Sequence, residues 1–397
     1  MRGVAQSGVR VANERAVLAL IAGIPGASNA DIARRSGLGP QTTARILAEL
    51  EARDLVIRGE VLRGRRGQPA TPYRLNPEGA YSIGLEIGWS HFELLLHDLA
   101  GFEITALRYP LAHASMPEHA LVEIVTKLTA LIKDLPEIKR QRLVGIGLAL
   151  PILSNALLER LEVDSQIIEA WMGFDMRARL AEEIGLLTMR IDSGSAAGWF
   201  EMLEMPPPRP PSVVTIFIGA LIGGGIVING TLHEGARGNA GDIGAMLVTG
   251  PDGTPTPLHV LASLQALHRI LVQSGNDPGP LSTDRPDRFD WSALDPALGT
   301  WLEQSAKALA QALVSISAMV ETDIAIVNGD LPEPVLARLR ARIGHYLEAS
   351  GALVFRLPTI ASGKGGASAP ALGAARLVLF RSHFSRAWDL FEGDLGK

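Results

Sequence analysis

Along the first quarter of the chain, apolar positions recur at helical spacing and are cut by turn signals. Across residues 13–23, Val17, Leu18, Leu20 and Ile21 form one helical stripe, which Pro25-Gly26 breaks. Ser28 then precedes Asp31 by three residues, a capping box with Asp in place of Glu. It opens a short helix over 29–36 that buries Ile32 and Ala33. Gly37-Leu38-Gly39 makes a tight turn, and Pro40 suits the first turn of the next helix, where no N–H is needed. That helix, 41–53, is expected to pack Ala44, Leu47 and Leu50 inward, with Ile46 nearby. Strands at 55–57 and 73–75 then flank the turn Arg63-Gly64-Arg65-Arg66-Gly67-Gln68-Pro69.

Beyond residue 76 the pattern changes to alternating strands and helices. Strands are predicted at 81–87, 92–99, 143–150, 187–191, 213–218, 225–228, 324–327 and 353–356. Helices are predicted at 116–135, 170–184, 195–205, 301–321, 333–350 and 370–380, with a loop turning helical over 256–272. Alternation on this scale implies an α/β body with a mixed sheet, in two lobes. The most apolar run, 213–229, is shorter than a membrane helix requires, and its Gly and β-branched residues read as strand–turn–strand.

Apolar residues make up 47% and charged residues 20% of 397, which fits folded domains and opposes wholesale disorder. There is no Cys, so disulfides, thiolate zinc sites and cysteine nucleophiles are excluded together. The start shows no signal-peptide pattern, so a soluble cytoplasmic protein without membrane contact is expected. The net charge of −5 argues against generic polyanion binding, but it hides an asymmetry. Residues 1–75 hold twelve Arg, no Lys and six acids, a net +6, and the remainder carries −11. A basic head on an acidic body suggests a nucleic-acid module joined to something else.

Two short helices joined by a three-residue turn and followed by a β-wing form the pattern of a winged helix-turn-helix. Gln41, Thr42, Thr43 and Arg45 lie at the start of the second helix, where a recognition helix touches base edges. Gln suits adenine, Arg suits guanine, and the Thr methyl suits thymine. Arg63, Arg65 and Arg66 on the wing can sit on phosphates or in a narrow minor groove. The plainer alternative is a helical docking domain with a charged hairpin.

Several body segments carry a family resemblance when taken in order: YSIGLEIG, VGIGLALP, MRIDSGSAAG, IGGGIVINGTLHEGARGNAGDIG and GKGGASAPALGAA. With the head, they make the chain resemble the ROK family (repressors, open reading frames and sugar kinases) over nearly its full length. Within it, the chain is similar to the transcriptional regulators, which add a winged helix-turn-helix to a kinase-like body. The resemblance implies a two-lobed, actin-like, sugar kinase-like ATPase fold with a sugar cleft between the lobes, and a homodimer or homotetramer. The expected domains are a DNA-binding head over 1–76, lobes over 77–194 and 195–375, and a helical tail over 376–397.

The resemblance also implies what has changed. Family kinases carry Asp-x-Gly-x-Thr on the first hairpin, where this chain has Glu86-Ile87-Gly88-Trp89-Ser90. Their second phosphate loop resembles Gly-Thr-Gly-Ile-Gly, against Gly219-Ala220-Leu221-Ile222-Gly223 here. Both changes oppose ATP binding, because a phosphate cradle needs bare backbone amides. Asp192 aligns with the family's general base, although it could equally cap the helix near Ser195. Asn239 and Asp242 lie in the segment that binds sugar hydroxyls, with Asp242 a shortened Glu and Ala245 replacing the zinc-binding His. His259 takes the place of another sugar-binding Glu, and the zinc cysteines are missing. The expectation is a DNA-binding regulator, a repressor, that contacts double-stranded operator DNA and senses a small carbohydrate at Asp192, Asn239, Asp242 and His259. It is expected to need no cofactor or metal and to be no longer an enzyme. The alternative is an ATP-dependent sugar kinase with a DNA-binding head.

Overall fold

The computed structural model describes residues 6–60, 71–88, 90–111, 115–151, 164–206, 209–282, 289–351 and 356–384. The head comprises α1 (Gln6–Gly23), β1 (Ala27–Ser28), α2 (Asn29–Ser36), α3 (Pro40–Ala52), β2 (Val56–Arg58) and β3 (Pro72–Leu75). Its three strands form one antiparallel sheet in the order β1-β3-β2. The capping box forms as expected: Asp31 N–H donates to Ser28 Oγ at 3.2 Å, and Ser28 N–H donates to Asp31 Oδ2 at 3.2 Å. Gly37 ends α2 at φ 68°, a left-handed position that suits a residue without Cβ. The stripe of Val17, Leu18, Leu20 and Ile21 is buried against Ile32, Ile46, Leu47 and Leu50.

One expectation in α3 is corrected. The inward face is Thr43, Ile46, Leu47 and Leu50, an i, i+3, i+4, i+7 stripe, while Ala44 is exposed. Thr43 is fully buried and its hydroxyl donates to Gly39 O at 3.2 Å, so it belongs to the core and not to a base-reading face. The hydroxyl finds a backbone partner within the first turn, which lets a polar residue hold a core position.

The body repeats one sheet topology twice. In the first lobe, β4 (Tyr81–Ile87), β5 (His91–Asp98) and β6 (Glu103–Pro110) form an antiparallel meander. The strands β7 (Leu143–Leu150) and β8 (Thr188–Asp192) then add parallel to β4, giving the order β6-β5-β4-β7-β8. The second lobe repeats it as β11-β10-β9-β14-β15, with β9 (Ser212–Ile218), β10 (Ile222–Ile228), β11 (Thr231–Leu232), β14 (Ile324–Gly329) and β15 (Thr359–Ser362). A small hairpin, β12 (Leu247–Thr249) with β13 (Pro255–Pro257), stands apart. Strands β6 and β15 escape the sequence pattern because they lie at sheet edges, and β6 has no buried residue. Of the strand expected at 353–356, only Arg356 lies within the described residues, and it is not in a strand.

Helices α4 (Pro117–Asp134), α5 (Glu137–Gln141), α6 (Ser165–Gly173) and α7 (Met176–Ile184) belong to the first lobe. The single helix expected over 170–184 is thus two, because Asp175 starts a new one by accepting from Ala178 N–H at 2.9 Å. After α8 (Ser193–Leu203), the second lobe adds α9 (Leu258–Ala262), α10 (Leu264–Gln273), α11 (Ala297–Val320) and α12 (Glu333–Ala349). The last helix, α13 (Ala369–His383), runs through the boundary expected at 375 and returns to the first lobe. No described helix is long and apolar enough to cross a membrane.

Bare backbone brings α8 and α13 together between the sheets. A Cβ on Gly194 would lie 2.1 Å from Gly224 N, so α8 rests directly on β10. A Cβ on Gly84 or Gly147 would lie 2.0 Å from Ala371 O or 2.1 Å from Ala374 O, so α13 rests directly on β4 and β7. The two helices meet at Gly373, where a Cβ would lie 1.8 Å from Ala196 O.

Candidate functional site

The outer face of α3 carries the groups expected to read DNA. Gln41 and Arg45 are exposed, Thr42 is half-buried, and the exposed Ala44 lies between them. Ala44 joins this face because Thr43 takes the inward place expected for it; the 43-46-47-50 spacing is the signal that puts residue 44 outside. Arg45 Nη1 sits 3.0 Å from Glu49 Oε1, and Glu49 Oε2 also accepts from Arg10 at 3.0 Å. The wing residues Arg63, Arg65 and Arg66 lie outside the described residues, as does Trp89. Strands β2 and β3, which bracket the wing, are paired in register from Val56↔Leu75 to Arg58↔Tyr73.

A cavity of about 1020 Å³ opens between the lobes, and Asp192, Asn239, Asp242 and His259 all line it. The ends of parallel strands β4, β7 and β8 supply one wall, the place where open α/β sheets commonly bind ligands. Asp192 is the N-cap of α8, and its Oδ2 accepts from Ser195 N–H at 2.9 Å. Capping and exposure to the cleft therefore coexist at one carboxylate. Burial, reinforced by the negative charge of Asp242, raises the Asp192 pKa to about 6.

His259 is buried, and its Nδ1 accepts from Ile222 N–H at 3.0 Å. The neutral ring must then carry its proton on Nε2, which lies 3.4 Å from Asp242 Oδ1. Gly244 makes this possible, since a Cβ there would lie 2.0 Å from the imidazole. Further polar groups in the cavity are ones the sequence did not single out. Glu86 Oε2 and His91 Nε2 face each other at 3.6 Å, too far for a hydrogen bond, and with Ser193 Oγ they are buried, line the cleft and have no hydrogen-bond partner among the described residues. Desolvated acceptors and hydroxyls of this kind call for a polar ligand or water to complete them.

The His91 ring packs against Gly88, where a Cβ would meet it at 2.6 Å. Arg108 Nη2 lies 3.2 Å from His91 Nδ1 and 3.1 Å from each oxygen of Asp330, tying β6 of one lobe to the end of β14 in the other. In the β9–β10 turn, Gly219 N–H donates to Leu221 O at 3.0 Å, so that amide is already engaged. The glycines at 223–225 face Gly194, Gly198 and Gly241 at under 3 Å from an ideal Cβ, which is close backbone packing.

The Asp192 shift has a definite sign. Folding makes this carboxyl harder to ionise, so its cost is absent below the ordinary carboxyl value of 3.8, grows as the pH rises towards about 6, and is complete above that. Asp192→Asn keeps a capping oxygen, and is expected to stabilise the fold by about 3 kcal/mol at pH 8 and by about 1 kcal/mol at pH 4.5. Urea unfolding of both proteins at the two pH values checks this.

Comparisons with known proteins agree with this architecture. A family model described as MarR family matches residues 7–67. The chain is 26% identical over 396 residues to the uncharacterized protein y4fQ of Sinorhizobium fredii, covering 94% of this chain and 92% of that one. It is 30% identical over 208 residues to the bifunctional enzyme NanE/NanK of Brucella melitensis, covering 52% of this chain and 38% of the enzyme. The xylose repressor of Bacillus subtilis is 22% identical over 249 residues, which is 61% of this chain and 62% of the repressor. Among solved structures, a ROK family transcriptional regulator described as a homologue of the E. coli Mlc protein superposes with a TM-score of 0.68. The match has 18% identity and covers 97% of this chain and all of that one. A family model described as ROK family matches residues 82–381, both lobes and the returning helix included, and the chain belongs to the ROK family.

Proposed function

We propose that this protein is a transcriptional repressor whose head reads double-stranded operator DNA and whose body senses a small carbohydrate without phosphorylating it. The observation that carries the reading is a pair of sites in one chain. Exposed Gln41 and Arg45 lie on the second helix of a helix-turn-helix, and a cleft lined with hydrogen-bond acceptors lies between the lobes, where the family resemblance implies a sugar. The similarity to the xylose repressor supports it, as does the matching order of head and body in the solved regulator. Such a protein acts where the DNA is, in the cytoplasm.

Asp192, Asn239, Asp242 and His259 hold the effector in this reading, with Glu86 and Ser193 supplying further partners. Vicinal hydroxyls donate to the carboxylates and accept from Asn239 and Ser193. Two heads on a homodimer or homotetramer read half-sites of a near-palindromic operator. The ligand must bind one arrangement of the lobes better than another, or it shifts nothing.

Selection of bound sequences from random duplex DNA, followed by affinity measurements at several salt concentrations, tests the head. The Arg-rich surface predicts affinity that falls steeply with salt. Replacing Arg65 and Arg66 by Ala is expected to lower the slope of log affinity against log salt by about 2, near 0.9 per lost phosphate contact. An unchanged slope and affinity would remove the wing from the account.

A second reading, a sugar kinase with a regulatory head, draws on one specific feature. A carboxyl with a pKa of about 6 inside the cleft is suited to take a proton from a sugar hydroxyl. Against it stand the engaged Gly219 amide and the side chains of Ala220 and Leu221 in the turn that would meet phosphate. Sugar-dependent ADP release that Asp192→Asn abolishes would establish the kinase.

A further inference from the structure

The last turn of α13 is a junction between the cleft and the head. On the cleft side, Ala240 N–H donates to Glu234 O at 3.1 Å, closing the turn that carries Asn239 and, just beyond it, Asp242. Gly235 sits at φ 70° beneath this closure, where a Cβ would lie 2.9 Å from Ala240 Cβ. The turn is therefore tight, and one hydrogen bond ties the Glu234 backbone to the segment that carries the cleft residues. The Glu234 carboxylate reaches out of the second lobe to pair with Arg381 of α13, both side chains being partly buried.

On the head side, the next residue takes over. Arg15 of α1 donates from Nη2 to Ser382 O at 3.3 Å. Phe380 and Phe384 flank this contact and, with Val11 and Ala12 of α1, line a seam of about 390 Å³. Phe380 also meets Trp199 of α8 edge-on at 4.7 Å, one helix along from the Asp192 cap. The helix α13 itself cannot slide freely, because Gly84 and Gly147 hold its backbone against the first sheet. Consecutive residues 381 and 382 thus connect the effector turn of one lobe to the DNA-reading head.

We infer that the Glu234–Arg381 ion pair is the coupling element through which the state of the 234–242 turn biases the head. This rests on the reading given under Proposed function and adds the regulatory route to it. A ligand that draws Asn239 and Asp242 inward shifts the Glu234 backbone, and Arg381 follows its partner. Because Gly84 and Gly147 hold α13 near its start, at Ala371 and Ala374, the pull bends its last turn, and the Ser382 carbonyl moves relative to Arg15, which changes how α1 and the recognition helix are presented. Glu234 and Arg381 are positioning residues and touch neither ligand nor DNA. Because coupling between sites is reciprocal, DNA bound at the head must also act on the turn.

Reciprocity permits a test that needs no knowledge of the effector. Amide hydrogen exchange is measured on the full chain with and without a saturating random-sequence 24-base-pair duplex at low salt. Wild type, Glu234→Gln, Arg381→Gln and the reversed pair Glu234→Arg with Arg381→Glu are compared. In the wild type, DNA should slow exchange over Pro40–Ala52 and change it about fivefold or more over 234–242. Each single variant should keep the protection of Pro40–Ala52 and lose the response at 234–242, and the reversed pair should restore it. An equal response in Arg381→Gln, or protection of Pro40–Ala52 with no wild-type response at 234–242, overturns the relay. Absence of protection at Pro40–Ala52 in every protein would sink the DNA reading itself, and the relay with it.

Discussion

Replacing Gln41 and Arg45 together by Ala is expected to weaken binding to the selected duplex by about two to three orders of magnitude. Each side chain that makes a bidentate contact with a base edge contributes about 1–3 kcal/mol of discrimination, and two such contacts at separate positions roughly add. The helix makes these two residues available by packing the opposite face. Thr43, Ile46, Leu47 and Leu50 enter the core, which turns 41, 44 and 45 outward. Arg45 is held along the helix by Glu49 and must leave that partner to reach a base. An exposed pair of this kind is worth under about 1 kcal/mol, so it does not prevent the contact. The salt slope should change little, because base contacts release few counterions. Thr43→Val is the control: its methyl already lies in the core, so DNA affinity should hold while stability falls by about 1 kcal/mol. Fluorescence anisotropy with the selected duplex and a base-substituted one checks the set. Equal losses on both duplexes would mean that these residues do not read sequence.

Gly194→Ala is expected to destabilise the body by about 3–5 kcal/mol, although it adds a single methyl group. The new Cβ would lie 2.1 Å from Gly224 N and 2.6 Å from Gly223 C, atoms of a strand paired on both sides. Neither β10 nor α8 can yield without disturbing its own hydrogen bonds, so the cost exceeds that of ordinary overpacking. The displacement would also carry the Asp192 cap, two residues earlier, away from Ser195 N–H. Gly344→Ala provides the opposite sign. Gly344 lies inside α12 with nothing within 4 Å of an added Cβ, so the helix gains about 0.5–1 kcal/mol from lower backbone entropy in the unfolded chain. Urea titrations of the two variants should therefore move in opposite directions from wild type.

Much of this molecule is legible in its pattern of residues, and the exceptions share a physical origin. The head is almost fully written in local signals, since Ser28 with Asp31, Gly37 and Pro40 each fix one helix end. Central strands such as Leu143–Leu150 stand out because they are apolar throughout, as strands buried on both faces tend to be, and in Tyr81–Ile87 only Ser82 and Glu86 interrupt that run. Edge strands such as Glu103–Pro110 lack that signal and are found only by their partners. The cleft was legible as four side chains, Asp192, Asn239, Asp242 and His259, scattered over 68 positions of the chain. Their union in one cavity depends on the duplicated sheets, which no local pattern displays. Arg108 and Asp330 were invisible for the same reason, since 222 positions separate two groups that touch. The glycines at 223–225 carry no sign in the sequence of what they pack against; the structure uses them where α8 and β10 approach backbone to backbone.

The central claim divides the labour of the chain between a head that holds DNA and a cleft that responds to sugar without chemistry. One reaction tests both halves at once. The full chain, labelled selected duplex, ATP and Mg²⁺ are mixed with each of a panel of free sugars and sugar phosphates, and duplex anisotropy and ADP are followed together. The account predicts that at least one carbohydrate changes the bound fraction of duplex while ADP stays at background. Steady ADP formation with a sugar, from protein that leaves the duplex free at every salt concentration, would contradict it.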